Sequence, residues 1–145
     1  MRHLAKTYSD IVIRVLTRFP ERKNAQELLS LSPNVSLVKA AFSDKQSLVK
    51  VFVGADVVFL ITDYWNTQNN ASVASLSTEI MDGITAIEAA AHTKGLKHFI
   101  FGTLMDFSAL SAMKWRNMYH FSTSVFITSF VIIFMLKTYQ TRKRY

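Results

Sequence analysis

Four short runs of β-branched and aromatic residues recur along the chain, each separated from the next by residues whose apolar positions return at helical spacing. The runs are Ile11-Val12-Ile13-Arg14-Val15-Leu16, Val35-Ser36-Leu37-Val38, Val57-Val58-Phe59-Leu60-Ile61 and His98-Phe99-Ile100-Phe101. Short, nearly continuous apolar runs read as strands buried on both faces. A chain that alternates such strands with helices builds a parallel sheet, because the crossover helices cover both faces. The predicted fold class is therefore α/β.

The segments between the runs carry helix signals. Phe19-Pro20-Glu21 turns the chain, with Pro20 suited to a first helical position, and Ala25, Leu28 and Leu29 supply an apolar stripe before Ser32-Pro33 stops it. Ser43-Asp44-Lys45-Gln46 reads as a capping box that opens a short helix with Leu48, Val49 and Phe52 inward and Gly54 as its C-terminal cap. From Ser75 to Thr93 a longer helix is predicted, with Ile80, Ile84, Ile87 and Ala91 facing inward and Lys94-Gly95 ending it.

A length of 145 residues allows one ordinary domain, and a hydrophobic share of 50% excludes a disordered chain. With no Cys there is neither a disulfide framework nor a thiolate metal site, and the four His share no ligand spacing, so no metal is expected. The net charge of +7 is concentrated at the end of the chain, where Lys137, Arg142, Lys143 and Arg144 fall within the last nine positions. Basic residues are not spread over a face and interleaved with aromatics, so direct nucleic-acid binding is not expected.

In a parallel α/β sheet, chemistry sits at the carboxyl ends of the strands. There the sequence places Thr17-Arg18, then Ala41 to Asp44, then Thr62-Asp63-Tyr64-Trp65, then Gly102-Thr103. Arg18 is informative by type. An acid at that place would accept from a ribose 2′-hydroxyl, whereas a fixed cation suits a 2′-phosphate, with Arg22 and Lys23 adding charge nearby. A merely solvated residue at a strand end is the alternative reading.

Taken together, Ile13 to Arg18, Gly54 to Phe59, Thr62-Asp63-Tyr64-Trp65 and Lys94-Gly95-Leu96-Lys97-His98-Phe99-Ile100 resemble the NmrA-like family of NAD(P)-binding Rossmann proteins, of the atypical short-chain dehydrogenase type. The resemblance runs from about Leu4 to Phe121. It implies NADP(H) binding and a regulatory or redox-sensing role. By position, Arg18 would contact the adenosine 2′-phosphate. Thr62, Asp63 and Tyr64 would line the cofactor cleft, and Gly102 and Thr103 would follow them at the fourth strand.

Departures from the family pattern set further expectations. Met1 to Tyr8 look like the last turns of the family's first helix, so the first strand and the Gly-rich loop are missing from this sequence. That strand is central in the family's order, and its loss leaves two strand pairs facing a gap. It also removes the main N–H donors to a pyrophosphate, so NADP(H) affinity is expected to be weak or lost. Ala41 replaces an Asp, Gly102 replaces a Ser, and Ser124 stands where a Lys is expected near the nicotinamide. With no acid–base pair in its place, no catalytic residue is assigned and turnover is not expected.

From Asn117 to Leu136 the sequence has no charged residue, and residues 121–136 are a candidate transmembrane helix. Three readings compete for this segment: a membrane tail anchor, a buried or poorly folded apolar tail, and an altered end of the coding sequence. The expected organisation is a partial NAD(P)-binding domain over 1–120, the hydrophobic segment over 121–136 and a basic tail over 137–145. The domain is expected in the cytoplasm, tail-anchored in a membrane on the first of those readings. The expected function is an NmrA-like nucleotide-binding regulator. The alternatives are a membrane-tethered interaction protein without cofactor, an inactive fragment, and an NADPH-dependent reductase.

Overall fold

The structure, a computed structural model, describes residues 2–62, 73–115 and 119–142. The chain divides into two compact units, Met1–Val51 and Phe52–Tyr145.

In the first unit the order is α1 (Arg2–Thr7), β1 (Ile13–Thr17), α2 (Lys23–Leu29), β2 (Val35–Lys39) and α3 (Lys45–Phe52), whose last residue opens the second unit. β1 and β2 pair in parallel with Ile13 opposite Val35 and Thr17 opposite Lys39. Two local expectations shift. The Phe19-Pro20 turn closes through Arg22 N–H to the Phe19 carbonyl, so α2 starts after Arg22 instead of at Pro20, and Gln26 Nε2 donates back to the Pro20 carbonyl at 2.6 Å. At α3 the cap is Asp44, one residue later than the capping box predicts: its Oδ1 accepts from Ser47 N–H at 3.1 Å, satisfying one of the helix's orphan donors. Leu48 and Phe52 are buried as expected, and Gly54 takes φ +69, the left-handed conformation of a helix C-cap.

The second unit runs β3 (Val57–Leu60), α4 (Val73–Ala91), β4 (His98–Phe101), α5 (Phe107–Leu110) and α6 (Tyr119–Arg142). β3 and β4 pair in parallel from Val57 opposite His98 to Leu60 opposite Phe101. The strands thus form two separate two-stranded parallel sheets, β1-β2 and β3-β4, consistent with a partial Rossmann-like fold. Among the described residues, one edge of β1 and one edge of β3 have no strand partner. Alternation along β3 is sharp: Val58 and Leu60 are buried while Val57 and Phe59 are exposed, so one face of this sheet is open.

α4 is turned relative to the face the sequence predicts. Of Ile80, Ile84, Ile87 and Ala91, only Ile87 is buried; the inward stripe is Glu79, Gly83, Ala86 and Ala90. The reason is the close passage of α6. A Cβ on Gly83 would stand 2.8 Å from Cδ1 and Cγ1 of the fully buried Ile127, so small residues line the crossing.

Residues 121–136, expected as a transmembrane segment, lie inside α6, which is one helix across both ends of that range. Its inward face, Thr123, Ser124 and Ile127, is buried in the unit. Among the described residues no helix is long and apolar enough to cross a membrane, so the membrane-spanning expectation finds no support here.

Candidate functional site

Each unit offers one candidate site at the carboxyl end of its parallel strands. In the first unit, β1 ends at Thr17, whose carbonyl accepts from Ala40 N–H at 3.1 Å and whose Oγ1 accepts from Phe19 N–H at 3.2 Å. That second bond folds the backbone tightly after the strand and presents Arg18 and Phe19 at its end. The Arg18 guanidinium carbon lies 5.4 Å from the centroid of the Phe19 ring, and that of Arg22 lies 4.0 Å from it. Two guanidiniums therefore share one aromatic ring, a cation–π arrangement that holds positive charge at the strand end. Both arginines are exposed, and neither forms an ion pair among the described residues. A pair of planar, permanently charged donors suits a phosphate monoester.

In the second unit the site is built from hydroxyls. Thr62, just past the end of β3, is buried and donates its O–H to Glu79 Oε1 at 2.6 Å. The hydroxyl of Thr123 in α6 donates to the other oxygen of the same carboxylate. Glu79 is 2% exposed, and both its carboxylate oxygens accept from threonine hydroxyls, which is how a buried carboxylate is tolerated. One turn along, Thr128 Oγ1 donates to the Ser124 carbonyl at 2.7 Å and lies 3.1 Å from Thr103 Oγ1, which is also within 3.4 Å of the Ser124 carbonyl. The carboxyl ends of β3 and β4 are thereby fastened to α6 through Thr62, Glu79, Thr123, Thr103 and Thr128.

The residues expected from sequence fall as follows. Thr62, Gly102 and Thr103 come together in the second unit, and Arg18 stands in the first. Asp63 and Tyr64 lie outside the described residues. Gly102 N–H donates to the Leu60 carbonyl at 2.9 Å and extends the β3-β4 ladder; a Cβ there would meet Ile61 Cγ1 at 3.2 Å. Ser124 is buried beside the Thr103 loop. Glu79 was missed by sequence reasoning. The signal was present in the spacing of Glu79, Gly83, Ala86 and Ala90, a stripe of small residues into which only one charged residue falls. Among the described residues no group of three His, Asp or Glu is arranged to hold a metal ion.

Parallel strand pairs with helical crossovers make this an α/β protein, consistent with a partial Rossmann-like fold. The family model of the NmrA-like family matches residues 1–138, and the chain belongs to that family. The match continues past Phe121 and takes in most of α6. Among solved structures, the triphenylmethane reductase of Citrobacter sp. complexed with NADP(H) aligns with a TM-score of 0.58 and 18% identity, covering 88% of this chain and 40% of that one. A second structure of the same reductase, described in relation to bioremediation of triphenylmethane dyes, gives 0.56 and 19%, covering 88% and 39%. At these identities the likeness is one of fold, and the chain spans about two fifths of the structures it matches. No curated protein matches it.

Proposed function

We propose that this chain binds NADP(H) as a regulatory or redox-sensing module, without turnover. The observation that carries the reading is the Arg18–Phe19–Arg22 stack at the carboxyl end of β1. Two guanidiniums there fit the 2′-phosphate that distinguishes NADP(H) from NAD(H). Membership of the NmrA-like family and a fold shared with an NADP(H)-complexed reductase support the same ligand class.

When bound, NADP(H) supplies hydride chemistry; this chain's own residues decide whether that chemistry has a proton partner. In the second unit the groups gathered at the strand ends are Thr62, Thr103, Thr123, Ser124 and Thr128, whose hydroxyls do not ionise near neutral pH. Glu79 is turned onto two of them. Ser124 occupies the position where the family resemblance puts a Lys. Among the described residues these groups hydrogen-bond one another, an arrangement that supports binding and sensing over reduction.

Isothermal titration of the chain with NADPH and with NADH tests the reading. The expected result is binding of NADPH in preference to NADH, with Arg18→Ala removing most of the preference and Arg22→Ala part of it. Each lost charge-assisted bond corresponds to about 1.5–3 kcal/mol. Equal binding of both nucleotides, or of neither, would overturn the proposal. Steady loss of NADPH absorbance in the presence of a triphenylmethane dye would favour a reductase instead.

A further inference from the structure

β3 presents an unguarded edge. His98 N–H donates to the Asp56 carbonyl and Gly102 N–H to the Leu60 carbonyl, so Asp56, Val58 and Leu60 turn their backbone groups toward β4. The N–H and C=O of one strand residue point to the same side, and the side alternates along the chain. Val57, Phe59 and Ile61 therefore aim theirs at the other edge, where no strand lies among the described residues. Their side chains are also the exposed ones, at 49, 63 and 62%. Open backbone groups and open apolar side chains thus coincide on the same three residues.

Edge strands that stay single carry a charge, a Pro or a bulge. Val57 to Ile61 contains no charged residue, Pro or Gly, and its register with β4 runs without interruption. β1 differs. Its bonds from Ile13 N–H to Asn34 and from Ala40 N–H to the Thr17 carbonyl leave a cationic residue, Arg14, in the middle of the edge that has no strand partner.

The partner that fits the β3 edge follows from its own symmetry. A second β3, antiparallel and related by a two-fold axis at Phe59, sets Phe59 opposite its counterpart and Val57 opposite Ile61. Every edge-facing residue then falls in a hydrogen-bonded pair, exchanging N–H and C=O with the residue opposite. A shift by one residue opposes edge-facing groups with ladder-facing ones, and a shift by two leaves Val57 or Ile61 without a mate. Aromatic meets aromatic and β-branched meets β-branched, with the exposed faces of both copies on one side. No like charges meet, because Asp56 falls opposite Thr62 and its carboxylate is held by Lys97 at 2.8 Å.

We propose that the chain associates with a second copy of itself through the β3 edges, forming one four-stranded sheet of order β4-β3-β3-β4. The contact is at the small end of specific interfaces, so association is reversible and depends on concentration.

Because the sequence has no Cys, single Cys substitutions report the register. Phe59→Cys brings two thiols opposite each other with Cα atoms about 5.5 Å apart, within disulfide range. Val57→Cys alone, or Ile61→Cys alone, leaves the two thiols roughly 14 Å apart along the strands. Under mild oxidation Phe59→Cys should cross-link, those two chains should not cross-link separately, and their mixture should. The three side chains are about half exposed or more, so each variant should keep the parent's Tm. In sedimentation velocity over a concentration series the parent should pass from monomer to dimer. Phe59→Lys, which sets two cations opposite each other, should weaken association at least about tenfold. The proposal is overturned if the chain stays monomeric throughout, or if Phe59→Lys associates as the parent does. It is equally overturned if Val57→Cys alone cross-links as fast as Phe59→Cys, which would mean face-to-face packing or another register.

Discussion

Replacing Gly83 by Ala tests the α4–α6 crossing most directly. The added Cβ would lie 2.8 Å from Cδ1, 2.8 Å from Cγ1 and 2.9 Å from Cγ2 of Ile127. Carbon pairs prefer about 3.5–4.0 Å, so three contacts would each be too short by roughly an ångström. Ile127 is fully buried and β-branched, so its side chain has little freedom to turn away and the helices must separate. Overpacking of this kind costs about 1–3 kcal/mol, and the higher helix propensity of Ala over Gly returns about 1. The net expectation is a loss of roughly 1 kcal/mol, a fall in Tm of about 2–4 °C by far-ultraviolet circular dichroism. The decisive arm is the Ile127→Ala background. That substitution alone should cost about 2–5 kcal/mol, but it removes all three clashing atoms. In that background Gly83→Ala should raise stability by up to about 1 kcal/mol, a coupling of roughly 2 kcal/mol between the sites. A rise in Tm on Gly83→Ala in the unaltered protein, or the same effect in both backgrounds, would refute the close crossing.

Other perturbations give equally definite outcomes. Glu79→Ala should lower stability by roughly 2–5 kcal/mol, because the hydroxyls of Thr62 and Thr123 both lose an acceptor in a buried setting. Glu79→Leu with Thr62→Val and Thr123→Val should recover part of that loss in denaturant titration, since the three groups that bond one another are removed together. Asp106→Ala removes the acceptor that caps α5 through Ala109 N–H at 3.1 Å and should cost about 1 kcal/mol, read as faster amide exchange at Ala109 and Leu110. The Asp56–Lys97 pair, 2.8 Å apart, sits in water with both side chains 68% exposed. The hydrogen bond from Lys97, and then its charge, hold the Asp56 carboxyl below 3.8, so any contribution is present above that pH and disappears as the pH falls through the lowered value. Lys97 is raised above 10.5 by the same pair, and its share is complete below that pH and is lost as the pH rises through the raised value. Asp56→Asn should leave Tm at neutral pH unchanged; a drop of several degrees would contradict so exposed a pair.

The strands and their parallel pairing were legible because their signal is local. β4 falls on His98–Phe101 as read, and β1, β2 and β3 differ from the reading by a residue or two at their ends. The structure holds these strands as two parallel pairs, β1-β2 and β3-β4. The inward face of α4 was not legible by hydrophobicity. Ile80 and Ile84 are the more apolar choice, but a close helix crossing selects for small size, and Gly83, Ala86 and Ala90 won that position. Glu79 went unnoticed for the same reason, because a carboxylate reads as a solvated residue until its partners are known. Those partners, Thr62 and Thr123, lie 17 and 44 residues away in the chain, and no local pattern connects them. In the first unit, Arg18 was named for its charge type, yet the contribution of Phe19 in aligning Arg18 with Arg22 required coordinates.

The buried carboxylate also accounts for the hydroxyls on the inside of α6. A carboxylate at the crossing needs hydroxyl donors from whatever packs on it, and Thr62 alone occupies one of its two oxygens. The facing turn of α6 therefore has to present a hydroxyl, which Thr123 does, followed by Ser124 and, a turn later, Thr128, whose hydroxyls and carbonyls bind the Thr103 loop. Between those hydroxyls Ile127 packs on Gly83, so the inner face of α6 is part polar and part apolar. Through this single helix the Glu79 network bears on the carboxyl ends of β3 and β4. Thr123→Val should accordingly speed amide exchange at Thr103, in the loop that Thr128 holds, and unchanged exchange there would refute the coupling.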